Sequence, residues 1–179
     1  SAGMRSRGSP PSYAPNAVQQ SPMPEIITQT DRLTLRVPTM DDVDVLAGYW
    51  ADPETMKYIG HSGEAWTREV VEQRIAQAIE RQRISGFCFW VVERRDTGMI
   101  IGQGGLVPVA NKGPEIELGY RLGREHWGHG YATEIAHASA AYGFQSLGLD
   151  RLLAVTYPEN IGSRRVLVNA GFEEMGLTD

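Results

Sequence analysis

The segment Leu122-Gly123-Arg124-Glu125-His126-Trp127-Gly128-His129-Gly130-Tyr131-Ala132-Thr133-Glu134 joins a strand-like run to a helix-like run through two closely spaced glycines. Glycine lets a backbone approach a ligand with no Cβ in between. A helix that starts there turns free N–H groups, and the positive end of its dipole, toward whatever occupies the loop. That combination suits an anion, a pyrophosphate in particular, and so a phosphate-bearing cofactor. A tight turn before a small-residue helix would use the same glycines. The run Gly128-x-Gly130-x-x-Thr133 also resembles a dinucleotide fingerprint. Against the dinucleotide, Thr133 stands where a third glycine belongs, and Asp150 falls before the following strand, not at its end.

A carboxylate stands on the run before the loop. Ile116, Leu118, Tyr120 and Leu122 share one face of that run, and Glu115, Glu117, Gly119 and Arg121 share the other. Glu117 is thus an acid in mid-strand, with Gly119 two residues on leaving room beside it. Partly desolvated, it would have a raised pKa and could take a proton directly or through water. On residue types alone, a solvated glutamate or one paired with Arg121 is the simpler reading. Cys88, inside Phe87-Cys88-Phe89-Trp90, reads as a buried structural thiol. His61, His126, His129 and His137 show no metal-ligand spacing, so no metal is expected.

These residues need elements to position them. Leu33 to Val37 alternates apolar and polar as a half-buried strand does, and Pro38 stops it. Thr39 with Asp42 resembles a capping box ahead of a helix whose apolar face is Val43, Leu46, Ala47 and Trp50. Asp52-Pro53 breaks that helix and starts a short one through Met56 and Ile59. Thr67 caps a second long helix, carried by Val70, Val71, Ile75, Ala78 and Ile79 and ended by Ser85-Gly86. Strands follow over Phe87 to Val92, Met99 to Val107 and Glu115 to Leu122, with turns at Asp96-Thr97-Gly98 and Asn111-Lys112-Gly113. Tyr131 to Leu147 is a long helix with a small-residue stripe for close packing. Arg151 to Tyr157 reads as a strand, Ser163 to Ala170 as a helix with Gly171 past its end, and Phe172 to Leu177 as a final strand. The expectation is an α/β fold (α+β mixed): a mixed sheet with helices on both faces.

Composition sets the bounds. The chain has 179 residues, 41% hydrophobic and 22% charged, enough for one domain with a real core. A formal net charge of −5 argues against a nucleic-acid partner. A single cysteine excludes an internal disulfide, and no apolar run suggests a membrane span or signal peptide. A reducing cytoplasm is the simplest compartment. Residues 1–24 form a polar, proline-rich stretch with Arg5, Arg7 and no acid, expected to be a disordered tail, with the folded domain over residues 25–179.

Five short motifs occur in order: Thr30-Asp31-Arg32-Leu33-Thr34-Leu35-Arg36, Ile116-Glu117-Leu118-Gly119-Tyr120, Trp127 to Glu134, Pro158-Glu159-Asn160-x-x-Ser163-Arg164-Arg165, and Ala170-Gly171-Phe172. Together they resemble the GNAT acetyltransferases, in particular the branch containing ribosomal-protein N-terminal acetyltransferases, over about residues 26 to 177. The resemblance implies the GNAT fold, a mostly antiparallel sheet in which two central parallel strands splay apart. Here those are Glu115–Leu122 and Arg151–Tyr157. It implies acetyl-CoA as acetyl donor and an amine as acceptor, a protein N-terminus leading and a small molecule such as a polyamine, amino acid or antibiotic close behind. A CoA-binding module without catalysis and a dinucleotide binder are the rivals.

The same resemblance assigns residues. Backbone groups of Tyr120 and Leu122 would pair with the pantetheine amides, N–H groups of Gly128, His129, Gly130, Tyr131, Ala132 and Thr133 would hold the pyrophosphate, and Asn160 would bond the cofactor arm. Glu117 becomes the general base, with Glu115 as fallback. Leu167 stands where many members carry an acid tyrosine, which leaves Ser163 as general acid and Tyr157 as an outside candidate. Trp50, Tyr58, His61 and Trp66 would border the acceptor. Glu125 is a departure, an acid where members carry glutamine or arginine; its side chain is expected to point away, with Arg124, His126, His129 or Arg165 supplying positive charge. Members usually add another strand after the one matching Phe172–Leu177. The expectation is a truncated end or an edge completed by a partner, with association as a homodimer.

Overall fold

The computed structural model describes residues 23–59 and 62–176. Residues 1–22 of the tail expected over 1–24, His61 and Leu177 lie outside the described residues. Strands β1 (Ile26–Gln29), β2 (Leu33–Arg36), β3 (Phe89–Arg94), β4 (Ile100–Pro108) and β5 (Ile116–Leu122) form one sheet in that order. Every neighbouring pair in it is antiparallel. β1 is an edge strand that four residues without apolar alternation did not announce.

Both faces of the sheet are covered. Helix α4 (Tyr131–Ala141) lays Tyr131, Ile135 and Ala136 against Leu33, Leu35, Trp90, Val92 and Ile101. On the other face, α1 (Val43–Trp50) and α3 (Arg68–Ser85) pack Val43, Leu46, Trp50, Val71 and Ile75 around Val91. Each such side chain taken out of water contributes about 1.5–3 kcal/mol. Gly104 in β4 admits α4, since a Cβ there would lie 2.3 Å from Ile135 Cγ2. The helical run continues past Ala141 as a wider turn to Ser146, close to the expected end.

Local chemistry sets the helix ends. Thr67 Oγ1 accepts the Val70 N–H (3.3 Å) at the start of α3, and Gly86 closes it at φ 80°. Asp52 accepts the Glu54 N–H ahead of the short α2 (Pro53–Met56). A buried ion cluster ties β2 to α1: Arg36 donates two bonds to Asp42 (2.7 and 2.9 Å) and one to Glu93 (2.6 Å). Burial works against the Arg36 charge, but Asp42 and Glu93 outweigh it, so its pKa stands above the ordinary value.

Two expected strands are corrected. Arg151–Tyr157 touches β5 at one parallel bridge only, Glu117 opposite Leu153. There Leu118 N–H donates to Leu153 O (2.8 Å) and Leu153 N–H to Ile116 O (3.0 Å). Leu152 is buried but Val155 is 66% exposed, and among the described residues no second bridge to β5 follows, so the two part. Phe172–Met175 forms no strand. Gly171 at φ 94° reverses the chain after α5 (Ile161–Asn169), and Phe172 N–H returns to Leu167 O (3.0 Å).

Candidate active site

The parting of β5 from the Leu153 segment opens a sheet edge. Leu118 N–H is the last main-chain donor on that edge used for pairing. Ladder bonds alternate from side to side, so the main-chain groups of Tyr120 and Leu122 point out of the same edge. Leu122 O accepts a bond from Trp127 Nε1 (3.0 Å); among the described residues Tyr120 N–H, Tyr120 O and Leu122 N–H have no partner. Unpaired strand groups of this kind are what an extended chain bearing amides would complete.

The glycine loop follows. Gly128 and Gly130 both adopt the left-handed region, φ 77° and 78°, and Gly130 is the N-cap of α4 without a side-chain cap. The first-turn N–H groups of α4 therefore face the loop. The loop is held by residues far away in sequence. Arg32 Nη1 donates to His129 O (2.8 Å), its Nε donates to Glu134 (2.8 Å), and its guanidinium lies 4.4 Å over the Tyr131 ring. Glu134 also accepts from Thr30 Oγ1 (2.6 Å) and Arg32 N–H (3.0 Å). The acid in the first turn of α4 is thus consumed in bracing the loop. His129 stacks on Tyr131, with ring centroids 5.7 Å apart.

Glu125 turns toward α1, where its carboxylate lies 3.4 Å from His126 Nε2. Tyr49 donates to Ile100 O (2.6 Å) and sits 3.0 Å from the same His126 nitrogen. Burial, more than the neighbouring Arg94 and His129, lowers the His126 pKa, with Glu125 acting in the opposite direction.

Glu117 is half-buried and its side chain forms no hydrogen bond or ion pair among the described residues. Burial alone raises its pKa above the ordinary carboxylate range. Its expected partner Arg121 does not reach it. Glu115, in contrast, is tied to Arg151 (2.7 Å). The room expected beside Gly119 is filled, because the Phe89 ring lies where a Gly119 Cβ would meet it at 2.9 Å.

A splayed sheet edge running into a glycine cradle is matched at the level of sequence: residues 32–173 match the acetyltransferase (GNAT) domain family. The chain is a GNAT acetyltransferase. It is 36% identical over 151 residues to a Bacillus licheniformis protein named uncharacterized N-acetyltransferase p20, covering 83% of each. The fold resembles ribosomal-protein-S5-alanine acetyltransferase of Vibrio fischeri, with a TM-score of 0.68, 22% identity, and 83% of this chain and 84% of that one covered. It also resembles RimL, a ribosomal L7/L12 alpha-N-protein acetyltransferase solved with coenzyme A. There the TM-score is 0.71 at 15% identity, covering 85% of this chain and 86% of that one.

In this acetyltransferase, Asn160 caps α5: its Oδ1 accepts the Ser163 N–H (3.1 Å). Ser163 Oγ lies 2.7 Å from Tyr120 Oη, and the Tyr120 pKa is raised by burial. Arg165 is exposed on α5, lining a surface cleft with Ile161, Arg164 and Glu174. Tyr58 stands 5.9 Å from the Tyr157 ring across the opening. Trp66 is half-buried over Arg121, whose Cζ is 4.3 Å from its ring centroid. Trp50, expected beside the acceptor, is fully buried and backs Arg121 from within the core. Cys88 is buried in the core and its pKa is pushed up to about 12, which leaves the thiol inert. No helix among the described residues is long and apolar enough to cross a membrane.

Sequence reasoning missed the functional weight of Arg32 and Glu134. Their spacing of 102 residues hides the pairing; the only signal was an arginine just ahead of β2 and an acid in the first turn of α4.

Proposed function

We propose that this GNAT enzyme transfers the acetyl group of acetyl-CoA to a primary amine by direct attack within a ternary complex. The single observation that carries this reading is the continuity of the unpaired β5 edge with the Gly128–Gly130 cradle, with the unpartnered Glu117 on the same strand. Main-chain groups of Tyr120 and Leu122 orient the pantetheine arm. The N–H groups from Gly128 to Thr133 hold the pyrophosphate, and Asn160 and the exposed Arg165 flank the arm from α5. Holding donor and acceptor side by side supplies much of the rate.

Glu117 takes the proton that the acceptor ammonium must lose before its nitrogen bonds to the thioester carbon. Main-chain N–H groups at the splay stabilise the charge that develops on the carbonyl oxygen. As the C–S bond breaks, Ser163, paired with Tyr120 Oη, delivers a proton to the departing sulfur, while the nitrogen, cationic since attack, gives up its second proton to water, from which Ser163 is reprotonated. Tyr58 and Trp66 shape the acceptor side.

The test is turnover with a panel of amines, followed by release of the free CoA thiol, in wild type and Glu117→Gln. The variant should bind acetyl-CoA normally and lose about 10²–10⁴-fold in rate, the usual share of a general base. Normal turnover in Glu117→Gln would remove the base assignment. Wild type inactive toward every amine would leave a CoA-binding module.

A further inference from the structure

Among the described residues Arg36 is buried and Arg121 is half-buried, and the two are met differently. Arg36 is enclosed by two carboxylates. Arg121, on the Glu117 face of β5, has none. Its guanidinium is packed among three aromatic rings, with Cζ 4.3 Å from Trp66, 5.0 Å from Phe89 and 5.2 Å from Trp50. Its Nε is buried without a hydrogen-bond partner. Its one side-chain bond among the described residues is a stretched 3.5 Å from Nη2 to Gln103 Oε1, an oxygen already accepting from Trp50 Nε1 at 3.2 Å. Among the described residues no acid pairs with it.

A second guanidinium adds to the imbalance. Arg74 of α3 lies 5.1 Å from the Trp66 ring that Arg121 also stacks on. Burial, and then the like charge of Arg74, pull the Arg121 pKa down to about 9. A charge taken out of water is costly unless an opposite charge and hydrogen bonds meet it. The residue as a whole keeps part of its surface accessible.

Glu117 and Arg121 are four residues apart on one face of one strand, so their Cα atoms are separated by about 13 Å. We propose that Arg121 binds a carboxylate of the acceptor, so that the substrate is an amine that also carries an acid group, an amino acid or short free-acid peptide and not a polyamine. The inference rests on the acetyl-transfer reading for the amine end only. A guanidinium fork and a planar carboxylate match in two parallel bonds, which gives both orientation and selectivity. A polyamine would bring a second cation against Arg121 and Arg74. The overall charge of −5 is no guide here, because the field at the site is set by the nearest groups.

The experiment is calorimetric titration of CoA-saturated protein with matched pairs: glycine and glycinamide, β-alanine and its amide, 4-aminobutyrate and its amide, and a dipeptide with its C-terminal amide. Each pair keeps the amine and changes only the acid. In at least one pair the acid should bind tenfold or more tightly than the amide. Arg121→Met, which keeps an apolar stem on Trp66, should abolish that preference, and Arg121→Lys should restore part of it. Unchanged acetyl-CoA affinity reports that each variant is folded; if Arg121→Met is not, the wild-type pairs and Arg121→Lys carry the test. Equal binding of acid and amide in every pair, no binding by any member, or a preference that survives in Arg121→Met would each overturn the proposal. Amides acetylated as fast as acids would end it while leaving acetyl transfer intact. Acid-selective binding without turnover would do the reverse.

Discussion

Replacing Gly130 with alanine tests the cradle where its backbone is most demanding. Gly130 sits at φ 78°, ψ 7°, and a Cβ there would lie 3.4 Å from Arg32 Nη2. An L-residue in that region costs about 1–2 kcal/mol, of which about 0.4–1 kcal/mol is offset by a stiffer unfolded chain. The net loss is about 1 kcal/mol, equivalent to about 2–4 °C in melting temperature for a chain of this size. Arg32 cannot retreat freely, because its bonds to His129 O and Glu134 hold it in place. If the Gly130 peptide turns to relieve the strain, the N–H groups of Tyr131 to Thr133 leave the loop. A loss of about 1.4 kcal/mol there is tenfold in acetyl-CoA affinity. Gly128 is the internal control: its φ is 77°, but an added Cβ meets nothing within 4 Å. Thermal unfolding of wild type, Gly128→Ala and Gly130→Ala, with and without acetyl-CoA, should give melting temperatures falling in that order. The smallest ligand-induced rise should belong to Gly130→Ala. A Gly130→Ala protein that melts with wild type and binds acetyl-CoA unchanged would refute the reasoning.

Two further outcomes follow from buried charge. Asp42→Ala strands Arg36 with Glu93 alone and should cost about 3–5 kcal/mol in urea unfolding with little change in slope; a loss below 1 kcal/mol would show that the cluster is not closed to water. Glu117→Gln should change stability in a pH-dependent way. Because burial raises the folded pKa above 4.5, the ionised wild-type side chain is penalised in the folded state above that folded pKa, and the penalty vanishes at pH values below the unfolded one. The variant should therefore melt higher than wild type at pH 7.5 and together with it at pH 4, and a lower melting temperature at pH 7.5 would contradict the burial argument.

Much of this fold was legible before any coordinates. Alternation over Ile116–Leu122 sorted β5 into its two faces, Thr67 and Gly171 marked helix ends, and the Trp127–Glu134 run located the cradle. These are short-range signals, because strand period, capping and left-handed glycines are settled by neighbours within a few residues. The misreadings are of another kind. Arg151–Tyr157 has the composition of a strand, but pairing needs an edge to stay beside it, and the segment leaves β5 after Leu153. Phe172 follows a glycine that folds it back onto α5.

The sequence by itself determined the periodicity, the caps, the glycine cradle and the five ordered motifs that define a GNAT chain. Only the tertiary structure decided which side chains meet. It joined Arg32 to Glu134, set Tyr49 against His126, laid Phe89 over Gly119 and buried Trp50. It also left Glu117 unpaired and enclosed Arg121 among rings without an acid. The physical reason is range: each of these contacts joins elements packed from opposite faces of the sheet or distant parts of the chain, and no local pattern encodes what a partner tens of residues away will present.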